Sequence, residues 1–141
     1  MGLLGKLFGG EKHLPYDSTS PGWSRLERHR EALAALAGKL HDRLEVVPGE
    51  RALYAFIGRP PDAFGIAWLE GGEEHNLKTL VKARGLSQER VLRISEELRE
   101  AWLRCRDEQR YELVVGKKHV IVTPSPALER ELVAIIHEAT D

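Results

Sequence analysis

A chain of 141 residues, 42% hydrophobic and 30% charged, has the length of one domain and the composition of an ordinary soluble globular protein. Its 21 basic and 22 acidic side chains leave a formal charge of −1, which excludes a global pull toward nucleic acid or acidic membranes and leaves that role to local patches. The single cysteine, Cys105, excludes an internal disulfide and fits a reducing, cytoplasmic setting.

No apolar run approaches the roughly 20 residues of a membrane span. The start, MGLLGKLFGG, is too short and too rich in glycine for a secretory signal, and Lys6 stands where a myristoylation motif needs Ser or Thr. The chain is therefore expected to stay as written. On a helix, Leu3, Leu4, Leu7 and Phe8 fall within an arc of about 140°. One and a half turns are not stable alone in water, so these four residues are candidates for contact with a partner. A protein partner or a second copy is favoured. With one lysine and no aromatic belt, residues 3–8 make membrane contact peripheral at most. Residues 11–23, EKHLPYDSTSPGW, read as a linker, which places a single α+β domain at 24–141 behind an N-terminal segment at 1–23.

Ser24 and Glu27 match the S-x-x-E capping box, with Ser20 before Pro21 as a rival start. Leu26, Leu33, Leu36, Ala37, Leu40 and Leu44 recur at spacings of three and four, which predicts a helix over 24–45 stopped by Pro48-Gly49. The next stretch, RALYAFIGRPPDAFGIAWLE, reads as a hairpin apolar on both faces. A five-residue loop from Gly58 to Asp62 would pair Phe56 with Phe64, Tyr54 with Ile66 and Ala52 with Trp68. A short helix is expected near 74–84, closed by Arg84-Gly85. A long one, capped by Ser87, should run over about 87–109 with Val91, Ile94, Leu98, Ala101, Trp102 and Cys105 inward. YELVVGKKHVIVT predicts a second hairpin with a type II′ turn at Gly116-Lys117 that pairs Tyr111 with Val122, Leu113 with Val120 and Val115 with Lys118. A last helix starts at Ser125-Pro126. The resulting class is α+β, a four-stranded antiparallel sheet of two hairpins with about four helices packed on it.

The stretch LVKARGLSQERVLRIS resembles the helix-turn-helix DNA-binding unit, with Gly85 at the turn, Ser87 capping and Val91 inward. The resemblance implies contact with nucleic acid through residues 78–93, where Lys78, Lys82, Arg84, Arg90 and Arg93 oppose only Glu89. Val81 departs from the small residue usual where such helices touch. The second helix is long, and Glu96, Glu97, Glu100, Asp107 and Glu108 on its latter half would repel phosphates. Nucleic acid is therefore not the expected partner.

Other candidates carry a structural explanation. Glu73, Glu74 and His75 could bind a metal or move a proton, yet consecutive helix residues do not face one site, and an acidic helix start accounts for them. His137-Glu138 suits a helix C-terminus. Cys105 lies between Arg104 and Arg106, which would favour a thiolate, but it continues the apolar stripe of its helix. His119 reads as a half-exposed strand residue. The loop Gly58-Arg59-Pro60-Pro61-Asp62 is either a recognition tip or a stiff turn. No phosphate-loop, dinucleotide or nucleophile-elbow motif is present. The expectation is a small protein-binding or accessory domain without cofactor, metal or chemistry of its own. An enzyme with a small-molecule or metal site in a cleft beside the sheet is the alternative.

Overall fold

Leu44–Pro48, LEVVP, is the fourth strand across a seven-stranded mixed sheet rather than the end of a helix. A computed structural model describes residues 13–140, so the expectations for Leu3, Leu4, Leu7 and Phe8 lie outside the described residues. In chain order the elements are β1 (Leu14–Pro15), α1 (Trp23–Glu27), α2 (Arg30–Gly38), β2 (Leu44–Pro48), β3 (Leu53–Gly58), β4 (Phe64–Glu70), β5 (Glu73–Asn76), α3 (Leu77–Arg84), α4 (Gln88–Arg104), β6 (Tyr111–Val115), β7 (Lys118–Val122) and α5 (Pro126–Thr140). The strand order is β1-β6-β7-β2-β3-β4-β5. β1 runs parallel to β6 and β2 parallel to β7; the other neighbours are antiparallel.

The class is thus mixed α and β, but the four-stranded antiparallel sheet with about four helices is corrected, among the described residues, to seven mixed strands with five helices. The predicted helix over 24–45 divides into α1 and α2 and ends at Gly38. Its periodicity is real: Leu26, Leu33, Leu36 and Ala37 are buried together against one face of the sheet. The run that follows, with two β-branched valines and every residue buried, is instead taken up by strand pairing on both sides. The Ser24–Glu27 capping box does not form. Gly22, at φ 77°, is the N-cap, and Glu27 accepts from Arg30 Nε at 3.0 Å. Part of the expected linker is also ordered, since Leu14–Pro15 pairs with β6 and Tyr16 is buried.

Alternation along the strands sends side chains to two cores. On one face Leu44, Val46, Leu53, Ala55, Val120 and Val122 meet α1 and α2. On the other, Val47, Tyr54, Phe56, Ile66 and Trp68 meet Leu80 of α3, Ile94, Leu98 and Ala101 of α4, and Leu128, Leu132 and Ile136 of α5. The second hairpin has the predicted register, and Gly116 carries the positive φ, 64°, of its turn. The first is shifted by two residues, with Tyr54 opposite Trp68, Phe56 opposite Ile66 and Gly58 opposite Phe64. An even shift keeps each side chain on its expected face. The predicted helix at 74–84 begins only at Leu77; residues 73–76 are the edge strand β5, and Asn76 with Thr79 forms the capping box.

Candidate functional site: an arginine cleft over a buried glutamate

One charged residue lies in the middle of β2. Glu45 shares the face of Val47 by strand alternation and is wholly buried. A buried carboxylate must have its lone pairs occupied. Arg43 Nη1 and Trp102 Nε1 donate to Oε1 at 3.0 and 3.3 Å. Arg110 Nε and Thr123 Oγ1 donate to Oε2 at 3.1 and 2.7 Å. Four elements of the fold thus converge on one carboxylate: the start of β2, the last turn of α4, the residue before β6 and the residue after β7.

Arg110 is itself only 9% exposed. Besides its bond to Glu45, its Nη1 donates to the carbonyls of Arg106 and Glu108 at 2.8 and 3.1 Å, and its guanidinium lies over the Trp102 ring, 5.0 Å from the centroid. Its Nη2 is buried without a hydrogen-bond partner among the described residues. An orphaned donor of this kind is uncommon and calls for an explanation.

Arg43, Arg59, Trp102, Arg106 and Arg110, with His13 and Pro60, line a cleft of about 400 Å³. No carboxylate lines it among the described residues. Arg59 and Arg106 are exposed and make no ion pair with another of the described residues. Arg59 stands on the β3–β4 loop, and that loop is braced. Arg99 Nε of α4 donates to the Pro61 carbonyl at 2.6 Å, Arg59 N donates to Ala63 O at 3.2 Å, and Gly58 N donates to Arg43 O at 2.8 Å. Gly58 has φ 121°, and a Cβ there would stand 2.7 Å from Ala63 O, so the turn that presents Arg59 requires glycine. The cleft can hold an anion between guanidinium forks. Glu45 has no lone pair left over for proton transfer.

The residues singled out from sequence are not brought together. In β5, Glu73 and His75 face one side and Glu74 the other. Glu74 accepts from Lys39 Nζ at 2.5 Å, and His75 stacks on Trp68 with ring centroids 5.9 Å apart. They form an edge strand instead of the expected acidic helix start. Among the described residues no group of three or more His, Cys, Asp or Glu could hold a metal ion. His137 is buried, with Nε2 2.9 Å from Tyr54 Oη; burial and the nearby Glu129 and Glu70 push that phenol well above its usual range. Cys105 is 6% exposed, and burial with Glu131 and Glu108 raises its thiol against the opposing Arg104 and Arg110. His119 Nδ1 lies 2.9 Å from Glu112. The helix–Gly85–helix corner does form, with Ser87 Oγ accepting from Arg90 N at 3.1 Å, and α4 directs Ile94, Leu98 and Ala101 into the core.

Arg59, Trp102 and Arg106 were each noticed in sequence for another reason, as a loop tip, a core residue and a neighbour of Cys105. Nothing local marks Arg43, Glu45 and Arg110, and Thr123 reads only as the half-exposed end of the second hairpin, whereas it is buried. The available signal was the acid itself, set within LEVV. The chain matches no family model, and neither a curated protein nor a solved structure shows significant similarity to it. No helix among the described residues is long and apolar enough to cross a membrane.

Proposed function

We propose that this chain is a binding or accessory domain without chemistry of its own, and that the arginine cleft is where it recognises an anionic group. The observation that carries this reading is the set of four arginines, Arg43, Arg59, Arg106 and Arg110, that lines one cleft with no carboxylate among its described lining residues. A guanidinium fork pairs well with carboxylate or phosphate oxygens, and the partly desolvated setting strengthens such bonds. The non-catalytic part is supported by Glu45, which contacts Arg43 and Arg110 of the cleft and whose two oxygens accept four donors.

The test compares thermal unfolding of the wild-type chain and of an Arg59→Gln/Arg106→Gln variant in chloride and in sulfate at matched ionic strength. Sulfate stabilises most proteins through exclusion from their surfaces, and that part should be common to both chains. Binding adds a further rise that grows with ligand concentration. A larger sulfate-dependent rise in the wild type supports the reading. An equal rise in both chains overturns it.

A further inference from the structure

We infer that a second cleft, between the sheet edge and α3, binds a small aromatic carboxylate. It shares no lining residue with the arginine cleft. Its two walls follow from local geometry. Residues two apart on a strand share a face, and partners across a ladder share it too. Trp68 and Glu70 of β4 therefore point the same way as His75 of β5, which pairs with Trp68. On α3, Thr79 and Ala83, and Leu80 and Arg84, are four residues apart and form two neighbouring rows. These two walls, with Arg51, enclose a cleft of about 350 Å³.

The first argument is surface. The half-buried His75 stacks on the buried Trp68, with ring centroids 5.9 Å apart and planes 22° from parallel. Leu80 and Ala83 stand on the opposite wall, so the cleft offers a flat aromatic shelf and an aliphatic cover. Its volume is at the small end of ligand sites, which run from roughly 300 to 1,000 Å³, and suits a single ring with a short substituent. The second argument is the polar groups. Thr79 Oγ1 is taken up by the helix cap, accepting from Asn76 N at 3.0 Å and donating to Asn76 O at 2.8 Å. Glu70 accepts from Arg51 Nε at 2.9 Å. Arg84 is exposed and makes no side-chain hydrogen bond or ion pair, so its guanidinium fork remains for a ligand. One fork matches the two oxygens of one planar carboxylate. Glu70 on the facing wall disfavours a second negative charge on the ligand.

Titration of the full chain with benzoate, benzamide and cyclohexanecarboxylate, followed by backbone-amide NMR at low salt, tests this. Benzamide keeps the ring and loses the charge; cyclohexanecarboxylate keeps the charge and loses the flat ring. The expected result is saturating shifts at β5 and α3, with benzoate bound about ten-fold or more tightly than benzamide, the worth of one charge-assisted hydrogen bond. Benzoate should also bind more tightly than cyclohexanecarboxylate. Arg84→Gln should lower benzoate to the affinity of benzamide, and Ala83→Leu, which fills the cleft, should abolish binding of both. Both positions are exposed on α3, so the unfolding transitions of these variants stay in place. Benzamide bound as tightly as benzoate overturns the carboxylate, and cyclohexanecarboxylate bound as tightly overturns the aromatic class. No saturating shift at β5 and α3, or shifts there unchanged in both variants, overturns the site. Benzoate shifts confined to the arginine cleft, and lost in Arg59→Gln/Arg106→Gln, overturn this second site and leave the first reading intact.

Discussion

Glu45 concentrates most of the electrostatic risk of the fold in one side chain. It offsets two buried or half-buried guanidiniums, and removing its charge breaks both pairings. Glu45→Gln keeps the shape and loses the charge, so it should cost about 3–5 kcal/mol in urea unfolding, the usual penalty for breaking a buried ion pair. A midpoint equal to wild type would show that Arg43 and Arg110 find other partners. The acid was visible inside an apolar run, but its role was not. Trp102, Arg110 and Thr123 lie 57, 65 and 78 residues away in the chain, and no local pattern announces contacts at that range. His29 gives the pH dependence. Burial, and then Arg28, hold its imidazole below the usual 6.5. The unfolded chain therefore takes up a proton first as pH falls. Stability from this group is complete above about pH 6.5, declines below that value, and levels off once the folded imidazole is also protonated. His29→Gln should flatten that acid-side decline in unfolding midpoints measured from pH 7.5 to 5; an unchanged slope would assign the decline to other groups.

Among the elements, the turn between β2 and β3 shows how a helix far away in sequence fixes a hairpin. Glu129 of α5 accepts from Glu50 N at 2.9 Å and from Arg25 Nη1 of α1 at 3.3 Å, while Arg25 Nη2 donates to Glu50 Oε1 at 3.0 Å. A Cβ on Gly49 would stand 2.8 Å from Ala52 O and 2.9 Å from Glu129 Oε2. Gly49→Ala should cost about 1–3 kcal/mol as an overpacking change. Glu129→Ala should cost about 1–3 kcal/mol through the donors it strands. Because the two share a contact, the double variant should lose less than the sum, read by a double-mutant cycle of denaturant midpoints. Strict additivity would place the whole clash at the Ala52 carbonyl. Elements with strong local signals were legible: α4 with its Ser87 cap, the YELVV–KHVIV hairpin to the residue, and the faces of the first hairpin. That hairpin slipped by two because Gly58 pairs with Phe64 as the last rung of the ladder, so its five-residue loop starts at Arg59. Leu44 fitted a helical spacing by coincidence, and burial on both faces of β2 decided otherwise.

Across the whole molecule, the missed strands share a cause. β1 is two residues and β5 is Glu-Glu-His-Asn; neither has strand periodicity, and each pairs because a neighbouring edge is open. Short or charged edges of this kind also discourage further strand addition. The parallel pairing of β2 with β7 is a property of the completed chain. Helices on both faces follow from it, because β2 and β3 are buried on both sides and need two covers. The β2–β7 pairing also sets an order in time. β3 follows β2 immediately, but β7 lies about 75 residues further on. At ~5–20 residues per second of synthesis, one edge of β2 waits about 4–15 s for its partner. For that interval LEVV has one open edge and is a mostly apolar strand on a growing polypeptide, the kind of segment that draws other nascent chains. Glu45 is then a hydrated charge in its middle, with Arg110 not yet made. The residue that ends as the anchor of the cleft begins as a gatekeeper against aggregation.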